Sequence, residues 1–322
     1  MYATLKKSQP NVLRILENSL KNNRLSHAYL FTGPNGTYKK ETAYHLAMML
    51  YCKEKVPCYK CSECMAILEN RHMNVYYIEP FGQTIKKEQI MALQEEFSKT
   101  SLVAGPRIYI INEAHTMSSS AANSLLKFIE EPTSETYGIL ITEHKENMLS
   151  TIVSRSVVVS FDELDKSVLK EQLAQNELSP LVMNSLCYLT SNIFEAQELI
   201  SDEGFVKVCE IFNKFIVDLN ERKGITLYYR TYSDVFSNKD KLKMFLRLLE
   251  AYFRDVYEYQ VLNKVLVFDS LEEEIKNTST LFDSDDILNY LFQLLELTKK
   301  ISYNVNMSLL INQFLIDLNG GI

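Results

Sequence analysis

Four of the six cysteines lie in one short segment of the chain. Cys52, Cys58, Cys61 and Cys64 have the spacing C-x5-C-x2-C-x2-C. Four thiolates this close in sequence can surround one tetrahedral Zn²⁺ ion at about 2.3 Å each, and an all-sulfur shell is typical of a structural site without an open catalytic position. An iron–sulfur cluster is a second possibility for the same ligands, and four reduced surface cysteines are a third. Because exposed free thiols are reactive, the spacing favours zinc.

A loop that could hold phosphate groups precedes the cysteines. A strand, a tight loop and a helix are predicted by the sequence SHAYLFTGPNGTYKKETA, in which Gly33 and Gly36 lie in the loop and Lys39 begins the helix. In the motif G-x-x-x-x-G-K-[ST], the second glycine lets the backbone approach phosphates, the lysine reaches the outer phosphates and the hydroxyl holds magnesium. Here Tyr38 replaces that glycine and Lys40 replaces the hydroxyl. We therefore predict a vestigial loop that does not turn over nucleotide.

A third candidate is the strand end in Arg107–His115, RIYIINEAH. In P-loop ATPases such a strand ends in Asp-Glu, where the Asp coordinates magnesium and the Glu polarises the attacking water. Here the Asp position is Asn112, a neutral and poorer magnesium ligand, and Glu113 loses its catalytic meaning without the metal. Taken alone, these residues fit a polar cap on a strand about as well as a functional site.

The elements that must position these residues are helices alternating with short apolar strands. The predicted strands are Ala28–Thr32, Val75–Ile78, Ile108–Ile111, Ile139–Thr142 and Val157–Phe161. Strands that are apolar on both faces and alternate with helices are typical of a parallel sheet covered by helices on both sides, with ligands at the carboxyl ends of the strands. An amphipathic helix is predicted for Ser118–Pro132, where Pro132 ends it.

The second half of the chain predicts long helices. All seven prolines lie in the first 180 residues, and the remaining 142 residues contain four glycines. Apolar residues recur at helical spacing in Val206–Asn220, Lys241–Leu262 and Ile287–Ile301. This spacing indicates a helical C-terminal domain. Cys187 and Cys209 fall in apolar helical patterns and are predicted core residues, and the polar cluster Asp162–Asp165 is the predicted domain boundary.

The composition argues against a strongly basic or membrane-spanning protein. A length of 322 residues with 46% hydrophobic content suffices for two or three domains. The formal net charge of −7 and the pI near 5.4 give no basic footprint, so any DNA contact is expected to be local or shared with partners. No apolar run reaches transmembrane length, and the first 30 residues lack a signal-peptide pattern. We therefore expect a cytoplasmic protein without membrane contacts.

Together these motifs resemble the bacterial clamp-loader family of AAA+ proteins. The resemblance rests on SHAYLFTGPNG, the four-cysteine insertion, IYIINEAH, AANSLLKFIEEP and TIVSRS, in this order. It implies an α/β P-loop AAA+ domain at residues 1–163 with a zinc insertion at about 52–64, a small helical lid at 164–207 and an all-α C-terminal collar at 208–322. It also implies gamma/tau ATPase subunits, a delta subunit and the sliding clamp as partners, with primed DNA reached through the assembled complex.

Within that family the motor subunits have an intact loop, an Asp-Glu strand end and a lid arginine, and this chain departs from all three. Glu195, in SNIFEA, occupies the place of the lid arginine, and Thr142 occupies that of a polar sensor of the γ-phosphate. Without bound nucleotide, Thr142 is expected to be structural. These agreeing departures imply a subunit that does not hydrolyse ATP.

One catalytic element of the family is retained. Arg155 lies in Ser154–Arg155–Ser156, where the family has Ser-Arg-Cys, and the resemblance assigns it as an arginine finger that reaches ATP on the neighbouring subunit. From sequence alone, an ordinary surface arginine is the simpler interpretation. The implied function is a non-hydrolysing subunit that completes the ring and supplies Arg155 in trans. The alternatives are an active gamma/tau-type ATPase with a variant loop, and a zinc-containing scaffold unrelated to replication.

Overall fold

The chain forms two compact units, Met1–Val168 and Leu169–Ile322. The computed structural model describes residues 1–54, 56–99, 104–130, 135–301 and 307–320. Pro132, the predicted end of a helix, lies outside the described residues. No helix in the described ranges is both long enough and apolar enough to cross a membrane.

A parallel five-stranded sheet forms the centre of the first unit. Its strands are β1 (Ala28–Thr32), β2 (Val75–Ile78), β3 (Arg107–Ile111), β4 (Thr136–Thr142) and β5 (Val157–Ser160). The order across the sheet is β2-β3-β4-β1-β5. Strand β1 therefore lies between β4 and β5, with Ala28 opposite Gly138 and Tyr29 opposite Val157. All five predicted strands are present, and the largest difference is that β4 begins at Thr136.

Helices cover both faces of this sheet. They are α1 (Tyr2–Ser8), α2 (Pro10–Lys21), α3 (Lys39–Tyr51), α4 (Ser62–Leu68), α5 (Lys87–Ser98), α6 (Ser119–Glu130) and α7 (Ser150–Val153). Because successive strand residues point to opposite faces, Phe31 joins the buried cluster that contains Ala47 of α3, whereas Leu30 joins the cluster that contains Leu125 of α6. This arrangement confirms the predicted α/β fold class.

One glycine in the sheet is required by packing. A Cβ atom at Gly138, in β4, would lie 2.1 Å from Cζ of Tyr109 in β3. The Tyr109 side chain is 2% exposed and is enclosed by the core, so it has little room to move aside. Strand β4 therefore admits no side chain at this position, although its neighbours in sequence are apolar.

All the regular structure described in the second unit is helical. Helix α8 (Lys166–Leu173) crosses the boundary between the units. The helices that follow are α9 (Pro180–Leu189), α10 (Ile193–Ser201), α11 (Glu203–Asn220), α12 (Tyr228–Thr231), α13 (Ser233–Phe236), α14 (Lys239–Leu262), α15 (Glu272–Leu281), α16 (Ser284–Lys300) and α17 (Met307–Gly320). The three helices predicted here are present as α11, α14 and α16.

Helix α14 organises the second unit. It is 24 residues long and packs against α9, α11, α15 and α16. Aromatic rings fill the space around it, with Phe212 edge-on to Tyr252 and tilted against Phe268. Cys187 and Cys209 are buried in this unit, as predicted. The division of residues 164–322 into a lid and a collar stays a prediction.

Candidate functional site

The loop after β1 keeps the backbone of a glycine-rich turn. Gly33 has a φ of +144°, and a Cβ there would lie 2.2 Å from the carbonyl oxygen of Phe161. Gly36 has a φ of +74°. Tyr38, the N-cap of α3, has a φ of +64° in the left-handed region, which costs a residue with a side chain about 1 kcal/mol or more. The turn of the motif's second glycine is thus retained, although a tyrosine occupies it.

The Lys39 ammonium group is bound by the loop itself. Its Nζ donates to the carbonyl oxygen of Gly33 at 2.6 Å, to that of Pro34, and to Oγ1 of Thr37 at 3.4 Å. The side chain is 6% exposed, and burial lowers the pKa of Lys39 to about 8. The side chain that would reach the outer phosphates in an ATPase is therefore turned back onto carbonyl oxygens.

Glu143, directly after β4, holds the loop from the neighbouring strand. Its carbonyl oxygen accepts from the Gly33 N–H at 3.2 Å and from Oγ1 of Thr32 at 3.4 Å. Its carboxylate accepts from Nδ2 of Asn35 at 2.5 Å. A carboxylate bonded to this loop repels an anionic ligand. Glu143 belongs to none of the sequence motifs, and its place directly after the end of β4 is the signal that could have identified it.

The residues that would bind magnesium have other contacts. Nζ of Lys40 lies 4.5 Å from the centroid of the Tyr77 ring, which is a cation–π contact. Asn112 continues the sheet, because its backbone N–H donates to the carbonyl oxygen of Ile78 at 2.8 Å. Glu113 is exposed and has a φ of +50°. These contacts do not assemble a magnesium site around the loop.

Two further positions that would sense nucleotide in a motor subunit have local partners. Oγ1 of Thr142 donates to the carbonyl oxygen of His144 at 3.1 Å and lies 3.3 Å from Nδ1 of His115. In the second unit, the carboxylate of Glu195 accepts from Oγ1 of Thr190 at 2.5 Å. Both side chains therefore stabilise the ends of the elements that carry them.

Arg155 lies in the turn between α7 and β5, at the surface of the first unit. Its side chain is 41% exposed, and its Nη2 lies 2.8 Å from Oε1 of Glu130 at the end of α6. Nη1 also donates to the carbonyl oxygen of Thr151 at 3.2 Å. An exposed ion pair of this kind contributes about 0–1 kcal/mol. The guanidinium group is therefore held by contacts weak enough to exchange. No sequence motif marks Glu130 as the partner of Arg155.

The four cysteines of the insertion come together at the C-terminal end of α3. Cys52 is the C-cap of α3, and Cys61 is the N-cap of α4. The Sγ atoms of Cys52, Cys58, Cys61 and Cys64 all lie within 4.8 Å of one another. A tetrahedral Zn²⁺ ion with bonds of about 2.3 Å needs sulfur atoms about 3.8 Å apart. Small side-chain movements would therefore complete the shell, and the donor set fits the metal.

The four thiol groups have different surroundings. Backbone N–H groups of Lys60 and Cys61 lower the pKa of Cys58 to about 6, whereas burial raises the pKa of Cys64 to about 12. The N–H of Cys58 donates to Sγ of Cys52 at 3.4 Å, and that of Cys64 to Sγ of Cys61 at 3.5 Å. Such N–H···S bonds favour thiolates, and a bound cation deprotonates a coordinating thiol.

Comparison with known proteins points to one family. Residues 8–165 match the family described as DNA polymerase III, delta subunit. The chain is 36% identical over 318 residues to DNA polymerase III subunit delta' of Bacillus subtilis, and this match covers 97% of each chain. It is 32% identical to DNA polymerase III subunit tau/gamma of Haemophilus influenzae, over 52% of this chain and 24% of that protein. A gamma subunit-related protein from Thermotoga maritima aligns with a TM-score of 0.41 and 16% identity, covering 96% of this chain and 99% of that chain.

Proposed function

This chain belongs to the delta' family of DNA polymerase III subunits, and we propose that it acts as a non-hydrolysing AAA+ subunit of the clamp loader. In this proposal it assembles with gamma/tau ATPase subunits and a delta subunit, completes their ring and helps to load the sliding clamp on primed DNA. The domain at residues 1–163 supplies the contact with the neighbouring ATPase. A lid at 164–207 and a collar at 208–322 complete the chain.

The contacts of Lys39 carry the non-hydrolysing part of this proposal. A catalytic loop needs its lysine and hydroxyl on the phosphates and on magnesium. Here the Lys39 ammonium is bound to the carbonyl oxygens of Gly33 and Pro34, and Lys40 lies on the Tyr77 ring. Binding of ATP would have to break these contacts and would also place phosphates beside the Glu143 carboxylate. The loss of these contacts and the repulsion by Glu143 each make ATP binding weaker.

The surface position of Arg155 supports its role as an arginine finger. An arginine that stabilises charge on a transferring phosphoryl group must leave its own subunit, and an exposed side chain with one ion pair can do so at low cost. Glu130 holds the guanidinium group until a phosphate group from the neighbouring ATPase replaces the carboxylate. A phosphate group can accept two N–H donors from arginine, whereas Glu130 receives one, from Nη2, so the exchange would strengthen the binding of the guanidinium group.

A structural zinc ion held by Cys52, Cys58, Cys61 and Cys64 is part of the proposal. It would tie the end of α3 to the start of α4, and a closed set of four sulfurs leaves no position for catalysis. The charge of the ion would keep all four cysteines as thiolates. Its contribution is to the folding of the first unit rather than to any reaction.

An exposed apolar stripe on α16 supports assembly through the collar. Leu288, Phe292 and Leu295 recur at i, i+4 and i+7 and are exposed, Phe292 to 66%. The opposite face of α16 is buried within the second unit. We expect the substitution Phe292→Asp to prevent co-purification with the other clamp-loader subunits. The substitution Phe194→Asp, at another exposed phenylalanine of the second unit, should leave co-purification intact.

Equilibrium binding of Mg·ATP to the isolated chain tests the central proposal. We expect neither binding at millimolar ATP nor hydrolysis by the chain alone. When the chain is added to the gamma/tau subunits with their other partners, the ATPase rate of the complex should rise. Tight binding with turnover by the isolated chain would show that it is an active gamma/tau-type ATPase. Failure to co-purify with any clamp-loader subunit would instead favour a scaffold outside replication.

A further inference from the structure

Tyr59 links the sulfur cluster to the core of the first unit. It lies between Cys58 and Cys61 and has a φ of +56°, in the left-handed region. Burial raises the pKa of the Cys64 thiol, and a backbone hydrogen bond from Tyr59 acts in the opposite direction. The Tyr59 hydroxyl is hydrogen bonded to Nδ1 of His45 in α3 at 2.5 Å. One residue therefore holds a ligand sulfur with its main chain and a core helix with its side chain.

The partner of this tyrosine is a fully buried histidine. His45 has no exposed surface, and its Nε2 has no hydrogen-bond partner among the described residues. Its ring stacks with that of Tyr59, with centroids 5.9 Å apart, and with that of Tyr2 in α1, with centroids 5.4 Å apart. An unpartnered buried nitrogen costs about 1–3 kcal/mol. A leucine at this position would avoid that cost. The hydrogen bond between Nδ1 and Tyr59 is therefore the interaction that explains why a histidine is present.

We propose that His45 and Tyr59 are positioning residues for the metal ion, and that Tyr2 extends their support to α1. The inference rests on the proposed metal site. The hydrogen bond to His45 and the ring stacking hold the Tyr59 side chain and so help to fix the left-handed turn, which places the Tyr59 backbone beside Cys64. With the turn already ordered, fewer backbone angles remain to be fixed when the ion binds. Groups that orient metal ligands in this way typically change affinity about 10–100-fold.

The rate of zinc release tests the positioning role. The zinc-loaded full chain is mixed with an excess of a chromogenic chelator, 4-(2-pyridylazo)resorcinol, and the release of metal is followed by absorbance. We expect Tyr59→Phe to release zinc at least about tenfold faster than the parent. The matched control is Tyr44→Phe. Tyr44 lies next to His45 in α3, and its hydroxyl donates to Oδ1 of Asn70 at 3.0 Å rather than to the cysteine turn. This variant should release zinc at the parent rate.

A second pair of variants separates the hydrogen bond from general loosening. His45→Leu removes the hydrogen-bond partner of Tyr59 and is expected to speed zinc release as Tyr59→Phe does. The double variant should release zinc no faster than either single variant, because both changes remove one interaction. Additive effects of the two substitutions would contradict a shared role.

Amide hydrogen exchange in α1 tests whether Tyr2 couples this helix to the metal site. We expect the amides of Tyr2–Ser8 to exchange several-fold faster after the metal is removed by chelator. In Tyr2→Ala they should exchange at that faster rate with the metal still bound. If Tyr59→Phe and Tyr44→Phe release zinc at the same rate, the positioning role is refuted while the metal site stands. If the purified chain takes up no zinc, the metal site and this inference are both refuted.

Discussion

Replacement of Arg155 by alanine separates a role in catalysis from a role in stability. Within its own chain the side chain makes an exposed ion pair with Glu130 and donates hydrogen bonds to the carbonyl oxygen of Thr151 and to Oγ of Ser154. Such a pair contributes at most about 1 kcal/mol, which corresponds to a change in Tm of about 2–4 °C for a unit of this size. At the neighbouring ATP, an arginine supplied in trans is worth about 10³–10⁵ in rate, or about 4–7 kcal/mol of transition-state stabilisation. The expected loss of activity is therefore several times larger than the loss of stability.

The assay is ATP hydrolysis by the assembled complex under single-turnover conditions. We compare the parent with Arg155→Ala and with Arg71→Ala. Arg71 is a matched control because it is an exposed arginine, 74% accessible, that forms an ion pair with Glu69 in the same unit. Arg155→Ala should abolish the rise in rate that we expect on addition of the chain, and Arg71→Ala should preserve it.

The variant Arg155→Lys tests whether the geometry of the guanidinium group matters as well as its charge. Arg155→Lys keeps the charge but loses the planar fork of donors, so little of the stimulation should return. Full stimulation by Arg155→Ala would refute the arginine finger. A fall in Tm of more than about 4 °C together with lost stimulation would show that Arg155 acts through folding instead.

Three further predictions concern the first unit and its metal. Cys64→Ser should lower the zinc content from about one ion per chain to near zero by elemental analysis, whereas Cys187→Ser should keep it. Gly138→Ala should lower the free energy of unfolding in urea by about 1–3 kcal/mol, whereas Gly224→Ala, whose Cβ would meet nothing within 4 Å, should change it by less than about 0.5 kcal/mol. The folded pKa of Lys39, about 8, lies below its ordinary value of 10.5, so the folded chain binds fewer protons between these pH values and gains stability as pH rises through them. Denaturation of Lys39→Met across this range should lack that gain, which is at most about 3 kcal/mol.

The sheet and the cysteine cluster could be predicted because their signals are local, whereas zinc binding by the cluster stays a prediction. Each strand is a short apolar run bounded by polar residues, and the close spacing of the four cysteines indicates a cluster. Contacts between distant side chains leave no such pattern. Glu130 meets Arg155 only because α6 and α7 pack together, and the bond between His45 and Tyr59 depends on how the cysteine turn lies on α3.

The contacts of Lys39 could not be predicted either, although they lie within a few residues of it in sequence. The departures at Tyr38 and Lys40 predict a loop without nucleotide turnover, but they do not say where the lysine goes. Its bonds to the Gly33 and Pro34 carbonyls follow from a left-handed turn at Tyr38. This position normally requires glycine, so the sequence does not predict that Tyr38 adopts the left-handed conformation.

The position of β1 has a consequence for how the chain folds while it is being made. Its two neighbours in the sheet, β4 and β5, follow it by more than 100 residues, since Ala28 pairs with Gly138 and Tyr29 with Val157. At about 5–20 residues per second, a ribosome needs about 6–26 s to deliver them. During that time β1, whose five residues are all buried in the finished sheet, is an unpaired apolar segment open to aggregation or to a chaperone. The four cysteines and His45, the partner of Tyr59, all lie between residues 45 and 64, so their contacts can form long before β4 and β5 have been made.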